Sequence, residues 1–348
     1  MSLRYTLSNK ILHFKQPAGT SRGVYTTRKI WLVELSEGDK TGIGECAPLP
    51  DLSCDAMGDE RYMALLNQFC QKLCETGEIE YDAMRDYPSM LFGLETALLS
   101  LKNSQLSTLN SKLLFDTAFS RGEVGIPING LVWMGNYEEM FQRMEDKLAQ
   151  GFRCVKLKIG AIDFDQELDL IKKIRERFSF HEVELRVDAN GGFQYEEALY
   201  KLELLSQYNI HSIEQPIRQG QWAYMAELCR ESPLPIALDE ELIGVNDPEM
   251  KRHMLNIIKP RYIILKPSLH GGMMGCREWI SIAKDMGIGS WITSALESNI
   301  GLNAIAQFTS DVYGDNITMP QGLGTGQLFT DNIEVGLYIQ NNKLYLKT

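Results

Sequence analysis

Three carboxylates and three lysines stand at or near the ends of short apolar runs: Lys156 and Lys158 in CVKLKIG, Asp188 in ELRVDAN, Glu214 in SIEQP, Asp239 in IALDEE and Lys266 in IILKP. Each of these charges would cost several kcal/mol if buried alone. Gathered at one place they satisfy one another. The carboxylates Asp188, Glu214 and Asp239 then offer hard oxygen ligands with no His or Cys beside them, the donor set of Mg²⁺ with Mn²⁺ as a substitute. One such residue suits a salt bridge or a helix cap equally well, whereas a succession on consecutive runs favours a metal site. Asn190 and Glu240, just beyond two of the run ends, are placed to hydrogen-bond the ligands from behind.

Lys156 and Lys158 are two residues apart on a predicted strand, and so share a face. Lys266 follows four strands later, which in a closed ring sets it across the centre from Lys158. Positive neighbours and a metal depress a lysine's pKa toward neutrality and make an amine able to take a proton. The matching substrate has an acidic C–H alpha to a carboxylate, where Mg²⁺ stabilises the charge that builds as the proton leaves.

The elements that must position these residues follow from the spacing of the runs. Strand candidates at 126–133, 154–159, 183–188, 211–214, 235–239, 262–266, 289–293 and 316–320 end at intervals of 25 to 30 residues, one βα unit each. Helical periodicity fills the gaps at 137–150, 164–178, 195–208, 222–231, 247–255, 274–286 and 299–309. Repeated units of this kind build either an open doubly wound sheet or a closed (β/α)8 barrel. An open sheet gathers its site at a switch point from few strands. Here five strands deliver charged residues to one end, which only a closed ring brings together.

Ahead of the barrel, alternating runs at 3–14, 29–35 and 41–47 and helical segments at 59–75 and 89–103 predict an α+β capping domain over residues 1–122. The barrel occupies 123–321. The tail, 322–348, alternates around Asn341-Asn342 and is expected to return as a hairpin to the capping domain. Loops 16–23 and 48–52 are candidates for a lid that excludes water from the barrel mouth.

Composition limits the functions open to this fold. The 348 residues suit one large barrel with an appendage, and 44% hydrophobic with 23% charged is an ordinary globular balance. A net charge of -11, with no basic cluster, opposes nucleic acid and anionic lipid as partners. An anionic small molecule must therefore be captured by local positive charge. The seven cysteines are odd in number and lie mostly in apolar segments, so reduced thiols are expected. No stretch is long enough to span a bilayer and the first residues lack a signal-peptide core, which predicts a soluble cytoplasmic protein. Nothing in the sequence specifies an oligomeric state.

KLKIG, RVDANGGF, IEQP, LDEE, ILKP and SALESNIG, with GIGECAPLP near the N-terminus, together resemble the enolase superfamily, muconate-lactonizing subgroup. The likeness spans essentially the whole chain. It implies a modified TIM barrel with an N-terminal cap completed by the C-terminal segment, and the superfamily's chemistry of lysine bases working beside Mg²⁺. By that resemblance Asp188, Glu214 and Asp239 bind the metal, and Lys158 abstracts the alpha proton and then protonates the leaving hydroxide. Lys266 is the cation opposite, and Lys156 tunes Lys158.

The resemblance also implies a carbon–oxygen lyase of menaquinone biosynthesis that dehydrates a succinyl-hydroxycyclohexadiene carboxylate to an aromatic product. One group acting as base and then acid makes the elimination syn. Ser294, Glu297, Ser298, Gly322 and Leu323 are the candidate substrate contacts. Two other readings stand beside this one: a racemase or epimerase of N-acylated amino acids or dipeptides, and a noncatalytic barrel that binds an acidic metabolite. Dipeptide epimerases of the superfamily carry an Asp-x-Asp motif in the eighth-strand region, where this chain has the acid-free MPQGLGTG.

Overall fold

The computed structural model describes residues 2–20, 23–104, 113–160 and 162–347. The chain opens with an antiparallel sheet of β1 (Arg4–Thr20), β2 (Gly23–Glu37) and β3 (Lys40–Cys46) in sequential order. Helices α1 (Asp59–Thr76), α2 (Tyr81–Met84) and α3 (Pro88–Lys102) follow. Val33, Leu35 and Cys46 of the sheet form one apolar core with Tyr62, Leu66 and Leu73 of α1 and Met90, Leu94 and Ala97 of α3. Gly44 lets α3 lie directly on β3, because a Cβ there would come within 1.9 Å of the Gly93 carbonyl oxygen.

The candidate lid at 16–23 is largely strand. β1 runs on to Thr20 and β2 begins at Gly23, so the segment forms the end of a long hairpin. Ser21 and Arg22, within that lid, lie outside the described residues.

After the short β4 (Ile126–Pro127), seven parallel strands form one sheet. They are β5 (Gly130–Val132), β6 (Cys154–Lys158), β7 (Glu184–Asp188), β8 (Ser212–Glu214), β9 (Ile236–Leu238), β10 (Tyr262–Leu265) and β11 (Gly289–Ile292). The helices between them are α4 (Tyr137–Ala149), α5 (Phe164–Arg177), α6 (Tyr195–Ser206), α7 (Trp222–Glu231), α8 (Pro248–Ile258), α9 (Gly272–Asp285) and α10 (Asn299–Tyr313). The expected eighth strand at 316–320 is not a strand. Its place is taken by Gln321 and Gly322, which bridge to Ile128 on one edge of the sheet and Thr293 on the other. That short piece closes the ring.

The expected strand at 126–133 is split. Ile126–Pro127 pairs instead with β13 (Lys343–Leu346), itself paired with β12 (Leu337–Gln340) across a turn in which Asn341 and Asn342 both have positive φ. The hairpin was expected to return to the capping domain, but it packs under the barrel, where Leu344 and Leu346 join the barrel's apolar cluster. The return is made just ahead of it: Phe329 bridges Phe14, and the Thr330 N–H donates to the His13 carbonyl.

The barrel interior below the strand ends is plugged. The Arg186 guanidinium lies 4.5 Å from the Trp291 ring centroid and donates to the Pro320 carbonyl, beside Ala237 and Ile264. Any site must therefore open at the C-terminal ends of the strands, the face covered by the N-terminal domain. That domain grips the barrel through two buried carboxylates at helix N-termini. Glu45 accepts from Ser298 and Gly301 at the start of α10, and Glu95 accepts from Met273 and Met274 at the start of α9.

All seven cysteines are free thiols. Among the described residues, no helix is long and apolar enough to cross a membrane.

Candidate active site

Strand register brings the predicted charges together. Lys158 stands opposite Asp188, and Asp188 opposite Glu214, on adjacent strands β6, β7 and β8. Asp239 and Lys266 come one residue past β9 and β10. All lie at the C-terminal end of the ring, and Lys156, Lys158, Asp188, Glu214 and Lys266 line a cavity of about 450 Å³.

Its walls also include Tyr25 and Leu49 from the N-terminal domain and Trp133 and Leu296 from the barrel loops. Leu49 belongs to the second candidate lid segment. The Trp133 ring centroid is 5.7 Å from Lys158 Nζ.

The lysines and carboxylates form one network. Lys156 Nζ is 2.9 Å from Glu214 Oε2 and 3.0 Å from Asp188 Oδ2, and Lys158 Nζ is also 3.0 Å from Asp188 Oδ2. Across the ring Lys266 pairs with Asp239. Asn190 accepts from Lys158 at 2.5 Å and donates to Glu240 at 3.0 Å, linking the two residues expected behind the ligands. Asn190, Gln215 and Leu296 have positive φ and follow the C-terminal ends of barrel strands, and Asn190 and Leu296 line the cavity.

Burial opposes ionisation of Asp188, but Lys156 and Lys158 outweigh it and hold the carboxyl far below its ordinary range. Asp239 is likewise lowered, with Lys266 prevailing over burial. Glu214 goes the other way: burial, reinforced by the negative charge of Asp188, raises it well above its usual value. Lys156 and Lys266 depart from the expectation of lowered pKa. Burial does lower Lys156 and Lys266, yet Asp188 and Glu214 beside the one, and Asp239 beside the other, raise both above the ordinary lysine value. The residues proposed as metal ligands are here the lysines' own counter-ions.

Among the described residues, no three His, Cys, Asp or Glu side chains enclose a metal position as they stand. Asp188 and Asp239 each turn an oxygen toward a lysine. The donor set nevertheless suits a hard divalent cation. Glu214 Oε1 and Asp239 Oδ1 are buried without a hydrogen-bond partner, which leaves acceptor capacity inside the site.

The expected substrate contacts divide. Ser294 and Gly322 line the cavity, joined by Gly324 and Thr325. Glu297 and Ser298 do not. Glu297 is fully buried and accepts from Ser268 and the Ala295 N–H, while Ser298 caps α10 and bonds Glu45, so both are committed to holding the loop. The Leu323 side chain packs in the barrel core.

Two neighbours escaped the sequence reading. The Gln215 side chain donates to Ile217 and Glu241 and accepts from the Asp239 and Glu241 N–H groups, thereby tying together the strand ends that carry Glu214 and Asp239. Its signal was the polar residue straight after Glu214 in IEQP. His270 accepts from the Lys266 N–H through Nδ1 at 2.8 Å, and burial pushes it down to about 3. Four residues beyond Lys266, it carries no local signature.

The chain matches the family model described as Enolase C-terminal domain-like over residues 139–334 and the one described as MenC, N-terminal domain over residues 19–101. It is 46% identical to an o-succinylbenzoate synthase from Desulfotalea psychrophila, covering 99% of this chain and 98% of the relative. The crystal structure of MenC from the same organism superposes with a TM-score of 0.81 at 41% identity, covering 99% of this chain and 100% of that one. A dipeptide epimerase from Cytophaga hutchinsonii, complexed with Mg and the dipeptide D-Ala-L-Val, shares the fold with a TM-score of 0.79 at 21% identity over 99% of this chain and 94% of that one.

Proposed function

This chain belongs to the o-succinylbenzoate synthase family of the enolase superfamily, and we propose that it catalyses the Mg²⁺-dependent syn dehydration of 2-succinyl-6-hydroxy-2,4-cyclohexadiene-1-carboxylate to o-succinylbenzoate in menaquinone biosynthesis. The observation that carries the reading at the level of residues is the placement of Lys158 and Lys266 four strands apart in the ring. They flank the carboxylates Asp188 and Glu214 within one cavity, and Lys266 pairs with the buried Asp239 beside it. These carboxylates are the residues that would hold Mg²⁺. When bound, the ion would supply a Lewis acid for the substrate carboxylate and a positive charge that offsets the carboxylate field raising Lys156 and Lys266.

The chain's own residues perform the proton transfers. Lys158 Nζ, as the free amine, takes the proton from the ring carbon that bears the carboxylate. The C–H electron pair becomes the new ring double bond as the bond to the hydroxyl breaks. The Lys158 ammonium returns the proton to the departing hydroxide, and water leaves. Because the same nitrogen serves both steps, hydrogen and hydroxyl depart from one face. The aromatic ring that forms drives the reaction forward. Lys266 faces the substrate as a cation from the far side, and Lys156 acts on Lys158 through the Asp188 oxygen that both contact.

The direct test is conversion of the cyclohexadiene, followed by the ultraviolet absorbance of the aromatic product, with Mg²⁺ and then with a chelator. Turnover that stops on chelation is expected. No turnover with Mg²⁺ would remove the reading. The opposed lysines also favour a second activity, racemisation of N-acylated amino acids with a base on each face. Exchange of the substrate's alpha proton for solvent deuterium would reveal it, and its absence would leave a dedicated dehydratase.

A further inference from the structure

Arg28, on β2 of the N-terminal domain, is a buried cation at the junction with the barrel, with only 3% of its surface exposed. Its guanidinium reaches backbone carbonyls on both sides of the junction between the N-terminal domain and the barrel. From the N-terminal domain it takes Ala47 and Pro48, immediately ahead of Leu49. From the barrel it takes Leu296 at 3.2 Å and Ala295 at 3.5 Å. Leu49 and Leu296 both line the cavity, one from each domain. They share an apolar cluster with Leu12, Ile30, Ala47 and Ala295.

Leu296 has a φ of 67°, which a residue with a side chain adopts only when its surroundings impose it. The Arg28 bond to its carbonyl is one such constraint. Glu297 supplies another by accepting from the Ala295 N–H. A planar fork of donors is suited to bridging several carbonyls at once, which a single ammonium does less well.

We propose that Arg28 is a positioning residue that fixes Leu49 relative to Leu296 where the two domains meet in the cavity wall, and through it the fit of the apolar part of the substrate. The role rests on the dehydratase reading of the cavity but acts on binding rather than on proton transfer. Arg28 touches neither lysines nor carboxylates of the reacting centre, so its loss acts on KM. Lysine at this position keeps a charge but loses the fork, and should restore the wall only in part.

The test compares the unsubstituted enzyme with Arg28→Lys and Arg28→Gln, using Lys29→Gln, a half-buried neighbour whose ammonium pairs with Asp59, as a control. Arg28→Gln should raise KM for the cyclohexadiene about tenfold or more while kcat stays within about threefold, with Arg28→Lys intermediate. Amide hydrogen exchange over residues 47–52 and 293–298 should speed up in both Arg28 variants and in no distant segment. Unchanged KM with unchanged local exchange would overturn the proposal. So would equal losses of kcat and global protection, which mark a generally destabilised fold. Because the exchange readout needs no substrate, absence of turnover in the unsubstituted enzyme would count against the dehydratase reading alone.

Discussion

At two places in this protein, the barrel mouth and the seam between the domains, buried charges are treated in opposite ways. At the barrel mouth Lys156, Lys158 and Lys266 meet Asp188, Glu214 and Asp239 directly, as ion pairs. At the seam between the N-terminal domain and the barrel, Glu45, Glu95 and Arg28 meet backbone dipoles and hydroxyls instead. The consequence is a difference in the direction in which their pKa values are pushed. Asp188 and Asp239 are held ionised by their lysines. Burial carries Glu45 up to about 7 and Glu95 to about 8, because helix N-termini repay only part of the lost hydration. Charge that is paired can be used in chemistry, and charge that is merely tolerated holds two domains together. Glu214 is the exception at the mouth: it is raised like the seam residues, with an oxygen left unpartnered, and has the most to gain from a cation.

The comparison breaks hardest if the carboxylates at the mouth prove structural. Asp239→Asn and Glu214→Gln should lower kcat by roughly 10²-fold or more and weaken Mg²⁺ binding measured by calorimetry, with the fold retained by circular dichroism. Full activity with unchanged metal affinity would place these residues in the same class as the seam. Next in size, Lys266→Ala should lower turnover by roughly 10²-fold while the substrate still binds, as read by titration of intrinsic fluorescence.

The seam should respond in stability. For Glu45 the folded pKa lies above the unfolded value of 4.5, so the folded state binds the extra proton between the two. The stabilisation is complete below about 4.5 and is lost as pH rises to about 7. For Glu95 the corresponding window extends to about 8. Urea unfolding of the native protein should therefore show stability falling across this range. Glu45→Gln should flatten the fall by an amount on the order of 2 kcal/mol, with kcat little changed. A pH slope identical to that of the native protein would show that Glu45 is ionised in the fold.

The same contrast explains what could be read from the sequence. The paired charges end apolar runs at regular intervals, and a periodicity of strand and helix is enough to place them at one mouth. Glu45 and Arg28 sit inside ordinary alternating strands, where a charged residue reads as a solvent-facing position. Only the docking of one domain on the other buries them. The eighth strand at 316–320 was misplaced because ring closure needs no more than Gln321 and Gly322, too short a piece to leave a pattern. Glu297 and Ser298 looked like substrate contacts by their position after a strand, but Ser268 and Glu45 occupy them. Partners from elsewhere in the chain leave no trace in local sequence.

The claim on which the rest depends is that Lys158 moves the proton. Single-turnover conversion of the cyclohexadiene by Lys158→Ala, with Mg²⁺ bound and substrate saturating, measures that step alone. Loss of roughly 10³-fold or more in the rate of aromatic product formation, with Mg²⁺ and substrate affinity retained, is the predicted result. A rate close to that of the unsubstituted enzyme would contradict it.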